Sequence, residues 1–355
     1  MELHTLTTTE VTAPRERGHV LGTRFAPQLR RAAELYLDHF SALGIPAERV
    51  RRIAERSHEA LRAWAPELAE ESAACADAAG VERWKAAAVG ARTEVLAAAP
   101  RHRQGECSTA VYAAPGSVPE TVQTWDWSST LVPEGLLHEL SSHAGRTVKM
   151  FTEFGSAAKI GVNDAGLGVH FNILFHEADS DTGGVPVHAV ARRILDEATT
   201  LDEAVALAST AAVSASTSLT VVTRDTGAAA LELSPAGLAV VRPGEDGWLL
   251  HTNHFLDETL AQGEAGKNES RTHERIAHLR RVRTSLPGLG SAERAKALCG
   301  SDGADAVICM RPDVSKPVHD QWGTLLTISL DVERYALEYL AGSPDRAGQQ
   351  SFTRF

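Results

Sequence analysis

The chain lacks the features that mark several large functional classes. It has only four cysteines, Cys75, Cys107, Cys299 and Cys309, and none stands in a CxxC pair. That absence excludes a sulfur-rich zinc site and a thioredoxin-like redox pair, and no metal is expected. Positive charge is in deficit, with 35 Lys and Arg against 46 Asp and Glu and a formal net charge of -11. No Lys/Arg-rich tract offers the concentrated basic face that nucleic acid or an anionic membrane would need. Apolar runs stay well short of the ~18 residues of a membrane span. The start, "MELHTLTTTEVTAPRERG", has no basic region followed by an apolar one and does not read as a secretory signal. The expectation is a cytoplasmic protein with reduced thiols and a small-molecule substrate, without a nucleic-acid or membrane partner.

What is present divides into two textures. A chain of 355 residues fits one large domain or two ordinary ones. From Phe25 to about Leu96 it is rich in Ala, Leu, Glu and Arg with apolar residues at helical intervals. Gly44-Ile45-Pro46 punctuates the first helix and Gly80 closes a later one. After Ala97 come short apolar or alternating runs, "CSTAVYAA", "VKMFTEF", "AKIGVND", "GLGVHFNILF", "SLTVVTRD", "AALELSPAGLAVV" and "WLLHTNH". Gly, Asp, Pro and Asn separate them, the pattern of antiparallel strands joined by tight turns. "VPVHAVARRILDEATTLDEAVALAST" reads as two helices, the second opened by Thr200 with Glu203 three residues on. "NESRTHERIAHLRRVRTSL" and "SAERAKAL" add helices, and "WGTLLTISLDVERYALEYLAG" a closing strand pair. The fold class is α+β, with a mainly antiparallel sheet core and helices in separate layers.

The chemistry concentrates in "GECSTAVYAAPGSVPETVQTWDW". A free cysteine is most often a small buried hydrophobe, and that reading suits Cys75, Cys299 and Cys309. Cys107 differs because Ser108 and Thr109 follow it, and pairing across the Pro115-Gly116 turn brings Asp126 back towards it. In a strand, Trp125 and Trp127 share one face as core residues, and Asp126 points to the other. A nucleophilic cysteine needs a base. None of the 15 histidines forms a recognisable signature with Cys107. If the Glu106-Cys107 bond is cut, the freed α-amino group, with an ordinary pKa of about 7.7 to 8.0, can serve as that base. His251 and His254 lack a third ligand at a recognisable spacing and read as hydrogen-bonded structural residues. "GVNDAG" reads first as a turn.

These phrases, in this order, resemble the family of the fungal acyl-CoA:isopenicillin N acyltransferase, autoproteolytic N-terminal-nucleophile enzymes that include β-alanyl-amine hydrolases. Its more distant relatives are penicillin V acylases and conjugated bile acid hydrolases. The resemblance rests on "ECSTAVYAA", "VQTWDW", "RERGHVLG", "ARTEVL", "KIGVNDAGLGVHFNIL", "HTNHFL" and "VICMRPD". It implies a four-layered αββα sandwich, two antiparallel sheets between helical layers. It also implies a zymogen that cuts itself between Glu106 and Cys107. Residues 1-106 would form a helical small subunit and 107-355 the catalytic large one, together one integrated domain. By the same resemblance Asp126 holds the amino group of Cys107, Asn253 helps form an oxyanion hole, Asn172 and Thr109 lie near the site, and Ser108 adds a supporting hydroxyl. Gln321 or Trp322 occupies the position where the acyltransferase branch carries a substrate-binding arginine. Glu106 stands where relatives often have glycine, with Gly105 one position earlier, and Thr124 replaces an asparagine.

The implied reaction is attack of Cys107 on an amide or thioester of a small amine or amino-acid conjugate. The acyl-cysteine then passes to water or to an amine. No cofactor is expected, acyl-CoA entering only as a substrate. The partners are the two pieces of the precursor, and a homo-oligomer is compatible with the sequence. Two other readings stand beside this one: an unprocessed binding or structural protein in which Glu106 blocks the cut, and a cysteine hydrolase that uses a histidine base in the intact chain.

Overall fold

Regular structure begins earlier than the helical text suggests. Glu2–Thr8 already forms a strand, β1, although "ELHTLTT" carries too few apolar residues to announce one. The structure is a computed structural model and describes residues 1–99, 106–225, 227–265 and 270–355, without the side chains of Glu106 and His319. Gly105 therefore lies outside the described residues, as does the Asn268 start of a predicted helix.

Helices α1 (Pro14–Arg24), α2 (Ala26–Ala42), α3 (Ala47–Trp64), α4 (Pro66–Ala79), α5 (Arg83–Gly90) and α6 (Arg92–Leu96) follow. Proline in the first turn of α1, α2 and α4 sets their starts. Gly80, at φ 67°, caps α4 in the left-handed conformation. Strands β2 (Glu106–Tyr112), β3 (Glu120–Trp127), β4 (Glu134–Ser141), β5 (Thr147–Glu153), β6 (Ile160–Asn163) and β7 (Leu167–Ile173) come next. Then α7 (Val187–Glu197) and α8 (Leu201–Ser209) interrupt, α8 opened by the Thr200/Glu203 capping box. β8 (Thr217–Thr223), β9 (Gly227–Ser234), β10 (Gly237–Val241) and β11 (Trp248–His251) precede α9 (Thr272–Val282) and α10 (Ser291–Leu298). β12 (Gly323–Asp331), β13 (Ala336–Leu340) and β14 (Thr353–Arg354) complete the chain.

The strands form an eight-stranded sheet in the order β1-β4-β5-β6-β7-β8-β9-β10 and a six-stranded sheet in the order β11-β2-β3-β12-β13-β14. All pairings within them are antiparallel except β1 with β4. With that one parallel edge the two sheets remain mainly antiparallel, as expected. Helices α1 to α6 and the β2–β3 hairpin of the other sheet lie between β1 and β4, giving the long connection a parallel pair requires. The inner faces of the two sheets meet in one core that includes Val111, Trp125, Phe151, Ile160, Leu326 and Ile328. α7 and α8 cover the outer face of the larger sheet, and α9 packs on the outer face of the smaller one. The layering is αββα. Among the described residues no helix is long and apolar enough to cross a membrane.

Two local features explain phrases noted in the sequence. In "GVNDAG" the Asn163 side-chain oxygen accepts from the amides of Ala165 and Leu167, and its Nδ2 donates to the carbonyls of Leu195 and Ala198. The turn is thereby tied to the end of α7. In "RERGHVLG", Gly18 and Gly22 lie where α1 crosses α4, and a methyl group at either would collide with the carbonyl oxygen of Glu71 or Cys75. The close crossing lets buried Arg17 reach Glu71 through Nε at 2.8 Å and Nη2 at 2.6 Å, while Nη1 donates to Ser141 O at 2.8 Å. Arg192 of α7 binds the same Glu71, 3.1 Å away. Gly18→Ala is expected to cost about 1 to 3 kcal/mol through overpacking, measured by urea denaturation against the parent; an unchanged midpoint would show that the helices separate freely.

Candidate active site

The hairpin of β2 and β3 brings the predicted residues together. Its register sets Cys107 opposite Trp125 and Glu106 opposite Asp126. Trp125 and Trp127 turn into the inter-sheet core, and Asp126 turns the other way, as alternation requires. Opposite Asp126 the β12 register shifts between Thr324 and Leu326. This irregularity accompanies a 2.6 Å bond from the Thr324 hydroxyl to Asp126 Oδ1. Asp126 Oδ2 is buried with no hydrogen-bond partner among the described residues.

Arg275, projecting from α9, is fully buried and organises the remainder. Its Nη1 donates to Cys107 O at 2.6 Å and to Ser108 Oγ at 3.1 Å, and Nη2 donates to Asn253 Oδ1 at 2.9 Å. Because a guanidinium only donates, the contacted atom of Asn253 must be its oxygen. The same oxygen accepts the Cys107 backbone N–H at 2.9 Å, and Asn253 Nδ2 is committed to Ile173 O at 2.8 Å. Asn253 therefore faces Cys107 as an acceptor, not as the donor that an oxyanion hole needs; the donor role would require its amide to leave Ile173. Asn172 Nδ2 supports Cys107 O at 3.2 Å, and its Oδ1 accepts from Thr109 Oγ1 at 2.8 Å. Gln123 Nε2 closes this group by donating to Thr109 Oγ1 at 2.7 Å.

Gln321 is not brought into this cluster. It is partly exposed ahead of β12 and donates to Lys316 O at 2.9 Å. Trp322 beside it packs edge-on against Trp127. The residues missed from sequence are Arg275, Thr324, Gln123 and Lys159. Arg275 left one signal: it shares the buried face of α9 with Ile276, Leu279 and Val282, an arginine within an apolar stripe. His251 bonds Glu232 and Thr252, and His254 bonds Thr252 and Thr272. Among the described residues no histidine hydrogen-bonds Cys107. Cys299 and Cys309, ten residues apart in sequence, form no disulfide and lie with their sulfurs in hydrogen-bond contact at 3.7 Å.

The electrostatics follow from exclusion of water. Burial pushes the Cys107 thiol up to about 12; Lys159, Arg275 and the Asp126 backbone N–H oppose this, while the Asp126 charge reinforces it. Burial also pushes Asp126 up to about 7 against the pull of Arg275 and the Thr324 hydroxyl. Burial and the charge of Arg92 bring Lys159 down to about 8, with Glu153 resisting. His170, beside Gln123, falls to about 3 through burial alone and stays neutral.

A family model described as acyl-coenzyme A:6-aminopenicillanic acid acyl-transferase matches residues 118–346. The 40 kDa form of acyl-coenzyme A:6-aminopenicillanic-acid-acyltransferase from Emericella nidulans is 32% identical over 185 residues, covering 51% of this chain and 50% of that protein. The chain thus spans about half the length of this curated relative. Among solved structures, the N-acylethanolamine-hydrolyzing acid amidase ortholog of Caenorhabditis elegans is 13% identical with a TM-score of 0.46, over 64% of this chain and 96% of that one. Penicillin V acylase from Agrobacterium tumefaciens is 14% identical with a TM-score of 0.37, over 66% and 83%.

Asp126 gives the site a pH signature. Its folded value lies above the ordinary 3.8, so between about pH 4 and 7 the folded state keeps a proton that the unfolded chain releases. This group's contribution to stability therefore falls as pH rises through that window, by at most about 1.4 kcal/mol per pH unit. In a Cys107→Ala background, Asp126→Asn is expected to gain stability relative to its parent over that range. Urea denaturation at stepped pH checks it, and a pH-independent difference would contradict the assignment.

Proposed function

The chain belongs to the acyl-coenzyme A:6-aminopenicillanic acid acyl-transferase family, and from that premise we propose that it is a self-processing amidohydrolase or acyltransferase with Cys107 as nucleophile. The observation that carries this reading is the surroundings of one nitrogen. Cys107 N faces Asn253 Oδ1, and Asp126, next to the paired Trp125, keeps a buried carboxylate oxygen that has no partner among the described residues. An amide N–H uses only the first of these. A free amino group has more donors and a positive charge for the second.

On this reading the cut between Glu106 and Cys107 separates residues 1-106 from 107-355 and turns an amide into an amine. In the cut enzyme that amine takes the thiol proton as sulfur attacks the carbonyl of an amide or thioester. The tetrahedral oxyanion needs neutral or cationic donors, and Asn253 Nδ2 can supply one once it leaves Ile173. The amine, oriented by Asn253 and Asp126, then protonates the leaving group. Water or a second amine finally takes the acyl group from sulfur. Exclusion of water from the acyl-cysteine decides between these acceptors. The substrate class is an acyl amide or thioester of a small amine or amino-acid conjugate. The absence of a histidine bonded to Cys107 among the described residues favours the α-amine over a histidine base.

Intact-mass measurement of the purified protein tests the first step. Two fragments divided before Cys107 are expected, and a single uncut mass for Cys107→Ala. A panel of amides and thioesters, scored for both free acid and transferred product, tests the second. A wild-type chain that stays whole and forms no acyl-cysteine would overturn the proposal. Asn253→Ala is expected to lower kcat by about 100-fold or more if its amide becomes an oxyanion donor.

A further inference from the structure

The reading above leaves the first cut without a base. In the uncut chain the nitrogen of Cys107 is an amide, which does not take up a proton near neutral pH, and the thiol is buried. We propose that Lys159 is the base for this step: its side chain takes the proton and carries the charge that let Cys107 react as a thiolate before the α-amine exists. The inference rests on the self-processing reading and assigns the step that starts it.

The geometry singles out Lys159 as an under-used cation. It is 3% exposed, and its Nζ lies 4.7 Å from the ring centre of Trp125, 5.0 Å from Phe171 and 6.0 Å from Trp127. Trp125 is the cross-strand partner of Cys107. The one oxygen bonded to Nζ among the described residues is Glu153 Oε1 at 3.4 Å, and Arg92 already holds that atom at 2.6 Å. The Tyr36 hydroxyl donates to the other Glu153 oxygen. Two buried cations thus share one carboxylate, and Lys159 has the poorer part. Such an ammonium gains by meeting another anion or by losing its proton. Arg275, the other cation acting on Cys107, is committed to Cys107 O, Ser108 Oγ, Asn253 Oδ1 and Ser270 O.

The charged and titratable groups around this pair come from every side. Arg92, Glu153 and Cys107 act on Lys159 directly. Tyr36 and His188 act on Glu153, and Asp126 and Arg275 act on Cys107. Lys159 is lowered to about 8, so it exchanges protons near neutral pH. In the step itself, the thiol proton moves to neutral Lys159 and sulfur bonds to the Glu106 carbonyl carbon. The carbon–nitrogen bond to Cys107 breaks, and the leaving nitrogen recovers the proton. Water then hydrolyses the Glu106 thioester, giving a carboxylate, the Cys107 thiol and its free amine. No oxidant or cofactor enters the balance.

The test follows cleavage of freshly refolded wild type, Lys159→Met and Lys159→Arg by intact mass across a pH series. In parallel, iodoacetamide labelling of Cys107 is mapped by peptide mass in the chain still uncut. Lys159→Met is expected to slow fragment formation by about 100-fold and to move Cys107 labelling to higher pH. Lys159→Arg keeps the charge but cannot give it up near neutral pH, so labelling recovers and the cleavage profile moves away from that of wild type. If Lys159→Met does not fold, the Lys159→Arg profile decides: superposition on wild type overturns the inference. Unchanged cleavage and labelling in a folded Lys159→Met protein overturns it equally. A wild type that never cuts defeats the self-processing reading instead, and the labelling shift then decides separately whether Lys159 governs the thiol.

Discussion

A guanidinium with no access to water has to find every partner inside the protein, and Arg275 finds its partners around Cys107. This one requirement fixes the rotation of α9, the path of the chain through Asn253 and the first residues of β2. It also decides which way the Asn253 amide faces, because an arginine cannot accept a hydrogen bond. The Cys107 nitrogen consequently looks onto an oxygen, and the nearby carboxyl of Asp126 stays partly ionisable despite its burial. A lysine at 275 would bring a point charge where a planar fork reaches Ser270 O, Cys107 O, Ser108 Oγ and Asn253 Oδ1.

Much of the scaffold was legible in the text. Alternation in "TWDW" placed both tryptophans on one face and Asp126 on the other, and the Pro115-Gly116 turn folded the acid back beside the cysteine. Thr200 and Glu203 announced their cap. The groups that were not legible act across distant segments. Arg275 reads as one more charge on a helix that also carries Arg280 and Arg281. Thr324 reads as an ordinary strand threonine, because the register shift beside it arises only when β12 meets β3. Lys159 stands just before β6 and gains its meaning from Arg92 and Glu153, supplied by α6 and β5. The direction of the Asn253 amide depends on Arg275 and could not be read from "HTNHF" alone. β1 escaped notice because its partner, β4, lies more than a hundred residues away.

The site is built against stability. Cys107, Asp126 and Lys159 each pay a desolvation cost that pushes them towards their neutral forms, and one oxygen of Asp126 has no hydrogen-bond partner among the described residues. The surrounding αββα layers absorb this through extensive apolar packing between the sheets and under the helices. Strain of this kind persists only where the rest of the fold over-determines the local arrangement.

The edge strand β1 carries a consequence for the life of the molecule. It lends seven residues to the larger sheet through β4, and α2, α3 and α6 contribute to the same core as β2 and β3. While the backbone is continuous, these pieces meet at the high effective concentration of one polymer. After a cut ahead of Cys107, the same contacts would have to be found by diffusion between two chains, and recovery from unfolding would depend on how dilute they are. The protein would then resemble a structure assembled once and left without the strut used to raise it, durable because it does not open rather than because it can close again.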